Sequence, residues 1–217
     1  IWQDANGADK TTGLPLEIGL NVIGKDSTGR VVSTTEIKLN AGNHWTAKLK
    51  DMHTETNDGK AITYTVEEKT VPGYLNGKID FNNDSKGNYS FTVTNKEIPK
   101  TEIQVEKKWQ DDKGGTLLEN HKRLQAVQSI TVELIKDFVP TGITKTLNKA
   151  NGWKASFTGL DKTKVDGTAI SYSVRETVVP DGFEAVTNPA SAVNGKADII
   201  NKLLPKYTDI TVNKKWV

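Results

Sequence analysis

Apolar and polar side chains alternate in short runs along the whole chain. In Ser129-Ile130-Thr131-Val132-Glu133-Leu134-Ile135 a period of two puts Ile130, Val132 and Leu134 on one face, the pattern of a half-buried β-strand. Turn-forming clusters separate such runs: Asp26-Ser27-Thr28-Gly29, Asn57-Asp58-Gly59 and Asp166-Gly167. No segment carries an apolar stripe at helical spacing through three turns. The pattern therefore predicts an all-β fold of many short strands, a sandwich or small barrel.

The same landmarks occur twice. Ile62-Thr63-Tyr64-Thr65-Val66-Glu67-Glu68 returns as Ile170-Ser171-Tyr172-Ser173-Val174-Arg175-Glu176, 108 residues later. Leu39-Asn40-Ala41-Gly42-Asn43-His44-Trp45 returns as Leu147-Asn148-Lys149-Ala150-Asn151-Gly152-Trp153, and Val71-Pro72-Gly73-Tyr74 as Val179-Pro180-Asp181-Gly182-Phe183. Trp2, Trp109 and Trp216 are spaced by 107 residues each time. Repetition at this length predicts tandem domains: one at 1–99, a second at 100–205, and the first strand of a following repeat at 206–217. Short junctions containing Pro99 and Pro205 predict a stiff connection and an extended rod. A chain opening at Ile1 reads as a mature or excised fragment.

Composition narrows the chemistry. Lys+Arg of 29 against Asp+Glu of 27 gives a net charge of +2 with the signs interleaved, so neither nucleic acid nor an anionic membrane is an expected partner. No run of 18 apolar residues is present, so no membrane insertion is expected of this segment. Without cysteine there are no disulfides and no thiolate metal sites. His44, His53 and His121 lack ligand spacing, and Asp111-Asp112 and Asn82-Asn83-Asp84 read as turn formers rather than a calcium loop. There is no phosphate-binding glycine loop and no Gly-x-Ser-x-Gly elbow, so no cofactor, no metal and no enzyme acting on a separate substrate are expected.

Alternation also points three polar residues inward. Lys107 shares a face with Ile103, Val105 and Trp109; Glu176 with Tyr172 and Val174; Asn201 with Ala197 and Ile199. The first repeat has two of the three, Glu68 behind Tyr64 and Val66, and Asn95 behind Phe91 and Val93. A buried lysine or carboxylate is costly unless paired. The alternatives are strand ends that reach water or a built polar cluster.

The Lys-x-Trp at Lys107 and Trp109, the Tyr-x-Val-x-Glu motifs before Val71-Pro72-Gly73-Tyr74 and Val179-Pro180-Asp181-Gly182-Phe183, and the inward Asn95 and Asn201 resemble the B-type repeat of collagen adhesins, the Cna-B domains of Gram-positive surface proteins and pili. The resemblance covers essentially the whole chain. It implies two transthyretin-like, reverse-immunoglobulin sandwiches of about seven strands each. It also implies a spontaneous isopeptide bond between Lys107 and Asn201, with Glu176 assisting. Burial would lower the lysine pKa and raise that of the glutamate, favouring a neutral amine and a neutral acid. The first repeat departs from this pattern, because the lysine matching Lys107 would precede Ile1. Glu68, the equivalent assisting residue, and Asn95 then have no lysine of their own. Asp209-Ile210-Thr211-Val212-Asn213-Lys214-Lys215-Trp216-Val217 repeats the first-strand pattern with Lys214 inward. It is either a loose strand of the next repeat or a strand donated head-to-tail to the first repeat of another chain, bonding Lys214 to Asn95. The resemblance further implies a structural stalk on the cell wall of a Gram-positive bacterium, with neighbouring repeats as partners and a host ligand held by a distal region. Direct binding of host matrix or glycan, or a pilin-like role, are the alternatives. Direct binding calls for an exposed aromatic or basic patch in one repeat that the other lacks, and none is evident.

Overall fold

The computed structural model describes residues 1–84 and 87–216. The chain divides into two compact units, Ile1–Lys100 with Asp161–Ala169, and Thr101–Leu160 with Ile170–Val217.

The first unit contains β1 (Trp2–Gln3), β2 (Glu17–Asp26), β3 (Val31–Asn40), β4 (Ile62–Glu68), β5 (Lys78–Asn83) and β6 (Tyr89–Lys96). They form two three-stranded sheets, β3-β2-β4 and β1-β6-β5. Trp2 is the centre of its core and meets Trp45 and Tyr74 edge to face, each at 5.0 Å between ring centroids. Asn82 and Asn83, expected in a turn, close β5 instead, paired with Ser90 and Tyr89.

The second unit contains β7 (Lys100–Gln110), α1 (Lys122–Ala126), β8 (Ser129–Lys136), β9 (Val139–Asn148), β10 (Lys154–Asp161), β11 (Tyr172–Glu176), β12 (Phe183–Thr187), β13 (Ala190–Ser191) and β14 (Lys196–Leu203). Its sheets have four strands each, β10-β7-β14-β12 and β13-β11-β8-β9. The alternation in β8, β11 and β14 turns Val132, Val174 and Ile199 into the space between the sheets, where they are fully buried with Leu147 and Phe157. Trp109 repeats the role of Trp2, packed against Trp153 and Phe183. The first strand, β7, and the last, β14, lie side by side and parallel over seven residue pairs, from Lys196↔Gln104 to Lys202↔Gln110.

The two units depart from one another at this first strand. In the first unit β1 covers only Trp2↔Asn95 and Gln3↔Lys96 of β6. Residues 46–53, which follow Trp45 as β10 follows Trp153, form no strand. A ladder needs a neighbour to receive its hydrogen bonds, and β10 has β7 beside it. The same reasoning applies at the other end of the chain. Residues 206–216 carry the alternation of a strand yet form none, and Ile210, Val212 and Trp216 are exposed.

Trp45 and Trp153 both occupy the left-handed region, at φ 57° and 60°. A bulky side chain adopts it only when the surroundings impose it. The cause is local and repeated. Asn40 and Asn148 each cap a short 3-10 turn by a reciprocal side-chain exchange with Asn43 and Asn151. The turn then reverses sharply into the tryptophan. Replacing Leu147, wholly enclosed on β9, by alanine is expected to destabilise the second unit by about 2–5 kcal/mol in chemical denaturation.

Candidate functional site

Lys107 and Asn201 come from the adjacent strands β7 and β14 of one sheet, and Glu176 from the last position of β11 in the facing sheet. The period of two that buries Val105, Val174 and Ile199 also carries these three between the sheets. They are 4%, 2% and 0% exposed. One carboxylate serves both partners. Lys107 Nζ donates to Glu176 Oε2 at 3.1 Å, and Asn201 Nδ2 donates to Glu176 Oε1 at 3.2 Å. Asn201 Oδ1 is buried and accepts no hydrogen bond. A half-turn of the amide would direct that oxygen at Oε1, where a protonated carboxyl would donate to it.

Burial controls the lysine. Desolvation pulls its pKa down from 10.5 to about 8, against the opposing pull of the Glu176 charge and hydrogen bond. The ammonium also lies 4.5 Å from the centre of the Trp109 ring, whose face favours a cation. Its main chain is fixed as well, because Lys107 N donates to the carbonyl of the left-handed Trp153 at 2.9 Å. At pH 7 about a tenth of such a group is the neutral amine, a nucleophile facing a carboxamide.

The first unit holds the same arrangement without the lysine. Asn95 Nδ2 donates to Glu68 Oε1 at 2.7 Å, and Asn95 Oδ1 is again buried without a donor. Glu68 is half-buried, and desolvation raises its carboxyl above the usual range despite the Asn95 hydrogen bond. Gly77 closes over the pair. A Cβ there would collide with Glu68 Oε2 and sit 2.7 Å from Asn95 Oδ1. Lys214, which only donation from another chain would bring to such a pair, is in the exposed terminal segment against the Trp216 ring.

Two features were not foreseen from the sequence. Asn188 binds the main chain of Glu176 through its side-chain amide. The tip of the β8–β9 hairpin also presents exposed apolar side chains. Phe138 is 89% exposed at the tip of the β8–β9 hairpin, left-handed at φ 67°, with Val139 and Ile143 exposed beside it. The signal was present in the sequence, since Lys136-Asp137-Phe138-Val139 stands where the first repeat has Lys25-Asp26-Ser27-Thr28-Gly29.

Two facing sheets repeated in tandem, each bridged by an acid–asparagine hydrogen bond, define a β-sandwich repeat protein. The Cna protein B-type domain profile matches residues 1–96 and 103–202, and the chain belongs to that family. It is 30% identical over 217 residues to the collagen adhesin of Staphylococcus aureus, a match that covers 100% of this chain and 16% of that protein. Among solved structures it is similar to a single B repeat unit (B1) of the collagen binding surface protein of S. aureus. That match is 28% identical with a TM-score of 0.42, over 94% of this chain and 95% of the other. It is also similar to the two-repeat B1B2 structure, at 29% identity and a TM-score of 0.42, over 96% and 48%.

The lysine shift has a sign that can be measured in Asn201→Ala, where no bond to residue 201 can form. The unfolded chain keeps the Lys107 proton up to about pH 10.5 and the folded chain only to about 8. The penalty for burying the charge is therefore full below pH 8 and disappears as the pH rises to 10.5, a gain of about 3 kcal/mol. Urea midpoints of Asn201→Ala and of Lys107→Met/Asn201→Ala should diverge over that interval. A constant difference would mean that the folded lysine keeps its ordinary pKa.

Proposed function

We propose that the chain is a stalk segment of a bacterial surface adhesin, in which the second unit locks itself with an amide between Lys107 and Asn201. The observation that carries this reading is a single buried carboxylate hydrogen-bonded to both the amine and the carboxamide, at 3.1 and 3.2 Å. Lys107 Nζ passes a proton to the Glu176 carboxylate it contacts and attacks Asn201 Cγ, while the carboxyl group so formed donates to the carbonyl oxygen and passes a proton to the departing nitrogen. The C–N bond to Lys107 forms, the bond to Nδ2 breaks and ammonia leaves. The packed sheets hold the groups together, an advantage of roughly 7–11 kcal/mol in barrier for well-oriented reactants. Each molecule reacts once, so this is maturation and not turnover of a substrate.

The bond would join the first strand to the last. By analogy with a disulfide closing a loop of this length it would stabilise the unit by about 4–5 kcal/mol. Family membership, the tandem units and the likeness to a collagen adhesin support a location outside the cell, on the wall of a Gram-positive bacterium, with a binding region carried distally. High-resolution mass spectrometry of the intact chain is expected to show the loss of one ammonia, mapped to a Lys107–Asn201 peptide and absent in Glu176→Ala. A folded chain of unaltered mass would sink the reading.

One observation favours a second role for the first unit. Its Glu68–Asn95 pair is assembled without a lysine, and the exposed Asp209–Trp216 segment repeats the pattern of β7 with Lys214 in the place of Lys107. We infer head-to-tail donation of that segment along β6 of a second copy, the Lys214 ammonium matching the Glu68 carboxylate. Covalent dimers that accumulate with concentration and vanish in Lys214→Ala are expected. A chain that stays monomeric at high concentration excludes this role.

A further inference from the structure

The chain leaves one sheet of the second unit and enters the other between β12 and β13. β12 pairs with β14, the strand of Asn201, and β13 pairs with β11, the strand of Glu176. Only Asn188 and Pro189 separate them. At this crossing two consecutive residues replace main-chain ladder bonds with side-chain ones. The Thr187 hydroxyl accepts from Ile200 N at 3.0 Å and donates to Asp198 O at 2.9 Å, filling a bulge in the β12–β14 ladder beside Asn201. Asn188 Oδ1 accepts from Glu176 N at 2.9 Å, and Asn188 Nδ2 donates to Glu176 O at 3.1 Å.

The register explains the second pair. Ser173↔Ser191 and Val174↔Ala190 set residue 188 opposite Glu176. The main chain there is already committed toward the other sheet. A primary amide offers one acceptor and one donor in the arrangement of a peptide group, so the Asn188 side chain supplies both bonds of the missing rung. Glu176 is the end of its strand, where a ladder would fray. Here it is held by β8 through Val132 on one edge and by Asn188 on the other. Thr187 and Asn188 thus fasten the strand of the amide and the strand of the acid to one another through a single peptide bond.

The first unit serves as an internal comparison. Its sheet order is β3-β2-β4, and among the described residues no strand pairs with the free edge of β4, where Glu68 is the last residue. Glu68 is half-buried, whereas Glu176 is 2% exposed.

We infer that Thr187 and Asn188 are positioning residues that set the Glu176 carboxylate against Asn201, an inference that rests on the reading of this cluster as an amide-forming site. They touch no reacting atom. Their effect is on distance, to which a reaction between held groups is steeply sensitive, about a hundredfold for 1 Å.

The test separates folding from chemistry. Full-length chain held unfolded and unlinked in denaturant is diluted to refold. Tryptophan fluorescence follows folding, and intact mass follows the loss of ammonia in the same sample. In the parent, ammonia loss accompanies or soon follows folding. Asn188→Ala and Thr187→Val are expected to fold and then lose ammonia at least about tenfold more slowly. Thr187→Ser, which keeps the hydroxyl, should restore the parent rate, and this pair decides the matter should Asn188→Ala not fold. A variant that unfolds at lower denaturant yet loses ammonia at the parent rate overturns the positioning role and leaves the amide reading intact. A parent that folds without ever losing ammonia overturns both.

Discussion

Burial of the Lys107 ammonium between two sheets, against the Glu176 carboxylate, is the constraint around which the second unit is arranged. An isolated charge in such a place costs several kcal/mol even after relaxation, and a single oppositely charged partner does not always recover it. The unit surrounds the pair with what further relief it has: the face of the Trp109 ring, a carboxamide on the second carboxylate oxygen, and main-chain anchors on both the lysine and the acid. A cluster kept at this expense is weak support for stability. Formation of a neutral amide would remove the lysine's charge permanently and relieve the strain of burial that makes the reaction favourable.

In the first unit β1 spans only Trp2–Gln3 and brings no lysine to the acid–amide pair. The acid and the asparagine still meet, Glu68 on β4 and Asn95 on β6, where Asn95 N also donates to the carbonyl of Ile1. What changes lies around them. The first sheet narrows to three strands, the counterpart of β10 is not formed, and Glu68 is half open to solvent. The acid–amide pair is thus assembled in both units, and its acid is closed from solvent only in the second.

Much of this was legible in the sequence, for a specific reason. Strand alternation has a period of two, so a residue two places beyond a buried valine faces the same way, and Lys107, Glu176 and Asn201 each stand two places beyond a buried apolar residue. The repeat then fixed the number of units. Alternation says nothing about a side chain that imitates the main chain, which is why Thr187 and Asn188 were invisible; their role comes from the register of two sheets meeting at one crossing. Nor does it report whether a neighbour is present, so the Asp209–Trp216 segment reads as a strand and forms none. The left-handed tryptophans depend on an asparagine exchange three residues wide that only the folded turn reveals.

The parallel register of β7 and β14 has a mechanical meaning. Because the first and last strands run the same way side by side, tension applied through the two ends of the unit acts along the strands in opposite senses. Every rung from Lys196↔Gln104 to Lys202↔Gln110 is then loaded together in shear. An antiparallel first and last pair would instead be opened one rung at a time from its end, like a zipper. The topology alone therefore suits the unit to carrying tension, before any covalent link is made.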